Sequence, residues 1–196
     1  MSYPRKLSQE AILEVALGVL ERDGLQALSM RAVAAGLQVA PNALYRYYPG
    51  KAELVAAVAE AGSGILLSAL RQASAGQPPL LALRALARAY LDFARSRPAL
   101  YQVKMAEVRC GEHASPSHDA IWAFVLELSG ALPLAHDPQD VGMALWAGLH
   151  GLVELDRLNL LDGRDPGHTL DVMLDLTVAG LMAGLAANQA PTGAQP

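Results

Sequence analysis

At 196 residues the chain has room for one good-sized core, or for a small module beside a larger one. Apolar residues make up 53% of it and charged residues 17%, which excludes a disordered chain and leaves apolar surface for a subunit interface as well as a core. The net charge of −4 counts against a protein that coats nucleic acid with its whole surface, yet it conceals an asymmetry: the residues up to Lys51 sum to +2 and the remainder to −6, as expected of a basic contact module on an acidic body.

Alanine and leucine dominate while β-branched and aromatic residues are sparse, so the expected fold class is all-α, because straight side chains lose little rotamer freedom in a helix. Ser8 is placed to cap a first helix whose apolar positions Ile12, Val15, Ala16, Val19 and Leu20 recur every three or four residues, with Gly24 just past its end. Ser29 is placed to cap a short second helix, Met30 to Ala35, stopped by Gly36. A third short helix opens at Pro41, where the missing N–H costs nothing, and runs to about Tyr48 before Pro49-Gly50 breaks the chain. A long fourth helix follows from Lys51 toward Arg71, interrupted in composition by Gly62 and Gly64. Beyond a small-residue loop at Ala73 to Pro79, further helices are expected at 79–96, 98–109, 116–131, 138–161 and 167–187, for nine in all. The tail from Asn188 to Pro196 has no core-forming residues and is expected to be frayed.

Three short helices in about 40 residues, the second and third joined by Gly36-Leu37-Gln38-Val39, have the spacing of a helix-turn-helix, whose last helix enters the DNA major groove. Val33, Leu37, Val39 and Leu44 supply the apolar contacts that fix the angle between the two helices, and helical spacing then turns Pro41, Asn42, Ala43, Tyr45, Arg46 and Tyr47 outward. Folding alone gives no reason for two tyrosines, an arginine and an asparagine there. Arg46 has the fork that pairs with guanine O6 and N7, Asn42 the amide that pairs with adenine, and Ala43 a methyl for thymine; Ser29, Arg31, Tyr45, Tyr47 and Lys51 suit phosphates.

The stretch LSMRAVAAGLQVAPNALYRYYPGKAEL (residues 28–54) resembles the DNA-binding segment of the TetR family, with Leu44-Tyr45, Tyr47-Tyr48 and Lys51 at the matching places. The resemblance implies that Ser29, Arg31, Pro41, Asn42, Ala43, Tyr45, Arg46, Tyr47 and Lys51 face DNA. A second stretch, ALARAYLDFARSRPALYQV (residues 85–103) with Trp146-Ala147-Gly148-Leu149-His150-Gly151, is similar to a TetR-family effector domain of the Trp…His-Gly type. Together the two imply a helix-turn-helix domain at 5–65, an effector-binding and dimerisation domain at 66–188 and a disordered tail at 189–196. They also imply a homodimer built from the last two helices of each subunit, here with Leu176, Ala179, Gly180, Ala183, Gly184 and Ala187 at the interface. An apolar ligand pocket lined by Tyr90, Phe93, Tyr101, Met105, Trp122, Phe124, Met143, Trp146 and His150 is the corresponding expectation for a small-molecule effector.

Several alternatives weigh less. Cys110, Glu112, His113 and His118 cluster in one loop with ligand types suited to a metal ion, but at a spacing that matches no metal motif; the same thiol would serve a redox sensor. An enzyme is disfavoured because there is no Gly-x-Ser-x-Gly elbow, no phosphate-binding glycine loop and no His-Glu-x-x-His pair, and no cofactor is implied. A helical scaffold that only binds protein leaves the tyrosine-rich third helix unexplained. With one cysteine, no apolar leader in MSYPRKLSQE and apolar stretches such as Val141 to Val153 shorter than a bilayer needs, a cytoplasmic protein without a membrane partner is expected.

Overall fold

The computed structural model describes the backbone of residues 7–110, 115–132 and 136–189, and the side chains of 7–107, 115–132 and 136–180. Among the described residues there are eight α-helices and one 3₁₀ helix and no strand: α1 Gln9–Asp23, α2 Met30–Leu37, the 3₁₀ helix Pro41–Arg46, α3 Lys51–Ser74, α4 Pro79–Ser96, α5 Pro98–Cys110, α6 Pro116–Gly130, α7 Pro138–Arg157 and α8 Pro166–Gln189.

The N-terminal caps follow from the local sequence. Ser8 Oγ accepts from the Ala11 amide at 3.2 Å and Ser29 Oγ from the Ala32 amide at 3.1 Å, each satisfying a donor that the first helical turn leaves open. Gly24 ends α1 at φ 81° and returns its amide to the Leu20 carbonyl at 2.9 Å. At three places the structure departs from the expected elements. Gly36 does not stop α2; the left-handed cap is Gln38, at φ 58°, and Gly36 lies inside the helix, where a Cβ would stand 2.7 Å from Val15 Cγ1. Glycine at 36 is thus explained by the close approach of α2 to α1. The third element is 3₁₀ rather than α: Ala40 has no side chain with which to cap it, and Pro49 follows three residues after its end. Helix α7 stops at Arg157 rather than at 161, because Asn159 (φ 55°) and Asp162 (φ 52°) turn left-handed; Leu158 and Leu160, which continue the apolar pattern, are exposed.

The chain groups into two compact units, Met1–Leu67 with Ser96–Asp119, and Ser68–Arg95 with Ala120–Pro196. In the first, Ile12, Ala16 and Leu20 of α1, Val33 and Ala34 of α2, Leu44 of the 3₁₀ helix and Leu54 and Val58 of α3 are all excluded from solvent. Helix α5 belongs to this unit, whereas a division at 65/66 sets it with the C-terminal body. It lies against α1, Arg97 just before it pairs with Glu21 at 3.1 Å, and Leu100 seats on Gly62, where a Cβ would come within 2.8 Å of Leu100 Cδ1. The glycine that weakens α3 in isolation is what lets α5 approach it.

The second unit is built on the apolar face of α4, with Ala82, Leu83, Leu86, Ala87, Tyr90, Leu91, Phe93 and Ala94 buried, and on α7 against α8 through Leu149, Leu152, Val153, Leu170 and Leu174. The polar side of α4 pairs Arg84 with Asp175, Arg88 with Asp171 and Arg95 with Asp156. Among the described residues one helix, Lys51–Ser74, is long and apolar enough to cross a membrane by length and composition, which the sequence reading of the longest apolar stretches missed. Its apolar residues Leu54, Val58, Leu66 and Leu70 are buried in the fold, as in a core helix.

Candidate nucleic-acid interface

Ser29 begins α2, Pro41 begins the 3₁₀ helix and Lys51 begins α3, so three element starts converge on one surface. Ser29, Met30, Arg31, Pro41, Asn42, Tyr45 and Lys51 line an open groove there. The geometry is held from beneath. Leu44, fully buried, anchors the 3₁₀ helix and its carbonyl accepts from the Tyr47 and Tyr48 amides at 2.9 and 3.0 Å, which leaves Tyr45 on the opposite side, 50% exposed. Arg31, Asn42, Arg46 and Lys51 are exposed as well, and among the described residues none of the three cations is held in an ion pair. Unpaired guanidinium and ammonium groups beside an amide and a phenol are suited to phosphate oxygens and base edges, and among the described residues no carboxylate pairs with them.

Not every expected contact residue stands alike. Ser29 spends its hydroxyl on the α2 cap; Ala43 is half-buried, and Arg46 is exposed but outside the groove lining. Tyr47 is half-buried and donates its hydroxyl to the Leu7 carbonyl at 2.8 Å, 40 residues away in sequence, so it fastens the approach to α1. That contact commits the hydroxyl as a donor to the backbone, and nothing local to Tyr47 announces it. Met30, on the groove wall, was absent from the sequence-derived set because its buried position in α2 reads as core.

The residues expected at a ligand pocket are divided between the two units. Tyr101 and Met105 are buried in the first unit; Tyr90 and Phe93 are buried in the second, with Trp122 and Phe124 partly covered. Arg71 lies over the Phe124 ring at 5.8 Å. Met143 (51%) and Trp146 (37%) are exposed on α7, where the Trp146 ring stacks on His150 with centroids 5.0 Å apart, so these two line an open face of α7 and no interior. On α8, Leu176 is 70% exposed, and Ala179 and Gly180 are exposed too; Ala183, Gly184 and Ala187 have side chains outside the described ones. Of the candidate metal ligands, Glu112 and His113 and the Cys110 side chain lie outside the described residues, and among those described no group of three metal donors occurs.

Comparison with known proteins agrees with this geometry. The family profile described as "Bacterial regulatory proteins, tetR family" matches residues 12–58, and the one described as "Tetracyclin repressor-like, C-terminal domain" matches residues 83–181. The uncharacterized HTH-type transcriptional regulator Rv0681 of Mycobacterium tuberculosis is 26% identical over 184 residues, 92% of this chain and 84% of its own length. The HTH-type transcriptional repressor DrrR1 of Streptomyces coeruleorubidus is 30% identical over 125 residues, 61% of this chain and 43% of its own. In structure, BioQ with its double-stranded DNA operator superimposes with a TM-score of 0.68 at 22% identity, covering 91% of this chain and 99% of that one, which supports the fold. With both profiles matched along the chain, it belongs to the tetR family of bacterial regulatory proteins and is a DNA-binding transcriptional regulator.

Proposed function

We propose that the chain is a homodimeric repressor, whose two 3₁₀ reading segments engage a palindromic operator about one DNA turn (~34–36 Å) apart, and that a small molecule releases it. The observation that bears most on this reading is the groove at Pro41–Arg46, with Asn42, Tyr45, Arg46 and the flanking Arg31 and Lys51 exposed and uncommitted. DrrR1 is a repressor and BioQ meets a double-stranded operator, and the same arrangement in this chain would occupy promoter DNA. Release requires a ligand that prefers the DNA-incompetent arrangement, with a coupling of about 1–3 kcal/mol. The place of action is the cytoplasm.

The reading is tested on the chain's own upstream intergenic DNA in a salt series. Wild type is expected to bind with strong salt dependence, and Tyr45→Ala and Arg46→Ala each to weaken binding by about 1–3 kcal/mol. Arg46→Ala relaxes specificity at one base position if it reads a base, whereas Tyr45→Ala weakens all sequences alike if it holds a phosphate. Binding untouched by both substitutions removes the 3₁₀ segment as the reader.

The exposed apolar surface of α8, with Leu176, Ala179 and Gly180, supports the dimer reading, because contiguous exposed apolar residues mark interaction sites. Leu176→Glu is expected to weaken self-association by on the order of 2 kcal/mol or more, seen as a shift toward monomer in sedimentation velocity at micromolar protein. A distribution unchanged from wild type places the dimer surface elsewhere.

A further inference from the structure

Tyr47 follows directly on the 3₁₀ helix Pro41–Arg46, and its hydroxyl donates to the Leu7 carbonyl at 2.8 Å. That hydrogen bond joins the end of the reading segment to the residue just before Ser8, the cap of α1. Both residues are half-buried and belong to the same compact unit. Leu7 is the first described residue, and the two that precede it in sequence are Arg5 and Lys6. Consecutive Cα atoms stand about 3.8 Å apart across a trans peptide, so covalent geometry alone keeps Lys6 within about 4 Å and Arg5 within about 8 Å of Leu7, Cα to Cα. The Tyr47 hydroxyl thus fixes the point from which two cationic residues depart, beside the end of the reading helix.

These two residues carry the whole of the +2 of the stretch up to Lys51; without them its basic and acidic side chains balance. Of the other four cations there, Arg22 is taken up by both carboxylate oxygens of Asp23, Arg31 and Lys51 line the groove, and Arg46 stands exposed outside its lining. The first carboxylate after Leu7, that of Glu10, is engaged by a hydrogen bond from Ser8, which holds it below the usual carboxylate range. Duplex DNA carries one negative charge per about 1.7 Å of axis, so DNA seated in the groove presents further phosphates to cations at its rim. Screening at about 0.1 M salt leaves charges within about 10 Å in strong interaction, a distance comparable to the reach of Arg5 and Lys6 from Leu7.

We propose that Arg5 and Lys6 form a second DNA-contact site, which holds backbone phosphates flanking the bases met by the 3₁₀ segment, and that Tyr47 positions it through Leu7. The proposal rests on the groove being the DNA-facing surface and adds a contact outside its lining. Two cations departing from one fixed point suit phosphate oxygens, for which charge and reach suffice; the site therefore contributes affinity and register, and no choice of sequence. It also gives the Tyr47 hydroxyl a part in DNA binding that is compatible with its bond to the backbone, since it acts on DNA through Leu7.

The test is a salt series of DNA binding, read by fluorescence anisotropy, for wild type, Arg5→Ala/Lys6→Ala, Tyr47→Phe and the three changes combined. Each is titrated with a duplex of the chain's own upstream intergenic DNA and with a mixed-sequence duplex. Arg5→Ala/Lys6→Ala is expected to bind both duplexes about tenfold more weakly at about 0.1 M salt, and to flatten the slope of log K against log salt by about 1–2 per chain. Tyr47→Phe keeps the ring and should melt like wild type while binding several-fold more weakly. Added to Arg5→Ala/Lys6→Ala it should cost no more than about twofold, because it acts through the same two side chains. Arg22→Gln removes a cation already paired with Asp23 at the other end of α1 and is expected to leave the slope unchanged.

A wild-type slope in Arg5→Ala/Lys6→Ala overturns the proposal. So does an equal loss in Arg22→Gln, which would make the effect one of net charge, or a Tyr47→Phe loss that is as large without Arg5 and Lys6 as with them, which would place the hydroxyl itself on DNA. Tyr45→Ala and Arg46→Ala, run alongside, separate this site from the groove. If they weaken binding and Arg5→Ala/Lys6→Ala does not, the flanking site falls and the groove stands; the reverse pattern keeps the N-terminal contact and removes the groove as reader. Binding of neither duplex by wild type overturns both.

Discussion

Lys104→Met is expected to raise the stability of the ligand-free protein at neutral pH by on the order of 3 kcal/mol, since a pKa lowered from 10.5 to about 8 corresponds to that much differential cost of the charged form. The sign follows from proton linkage. The folded chain holds the Lys104 proton less tightly than the unfolded chain does, so the penalty is present in full below pH 8. Between about pH 8 and 10.5 the unfolded state binds more protons, and wild-type stability rises through that window relative to the variant. Two titratable groups nearby act elsewhere: His118 and Glu60 are both held below their ordinary values, outside that window. Methionine keeps the length of the side chain without its charge. Urea melts at pH 7 and at pH 10 check the result: a gap between variant and wild type that is wide at pH 7 and narrows at pH 10 is expected, and a less stable variant at pH 7 would show that the ammonium has a partner in the folded protein.

Leu44→Ala carries the other large effect. Leu44 is fully buried and is the apolar anchor of a helix only six residues long, so truncation is expected to cost about 2–5 kcal/mol through lost burial and the cavity left behind. Operator binding should fall with it, because the 3₁₀ segment loses the contact that presents Asn42 and Tyr45. The informative comparison is with Tyr45→Ala, one residue on and 50% exposed, which should leave the urea midpoint within about 0.5 kcal/mol of wild type while weakening DNA binding. If Leu44→Ala melted like wild type, the 3₁₀ helix would not be anchored as described; if Tyr45→Ala lost both properties, its effect on DNA could not be assigned to contact.

What the amino-acid sequence determined by itself is what short-range interactions decide. Ser8 and Ser29 cap helices through bonds spanning three residues, Gly24 ends α1 through a bond to Leu20, and the apolar positions of α1 repeat at a spacing that selects one buried face; each is complete within a few turns of chain. The all-α class and the TetR resemblance over the reading segment follow from the same local pattern, and both are upheld by the fold and by the family comparison. Tertiary structure alone decided the rest, because the partners are distant in sequence. Gly36 faces Val15 instead of ending α2, Tyr47 reaches back to Leu7, and α5 joins the N-terminal unit through Glu21 and Gly62. Nothing local to Lys104 marks it as buried. Only the packing of α5 in the folded unit removes its water, and removing water from a charge is what lowers its pKa.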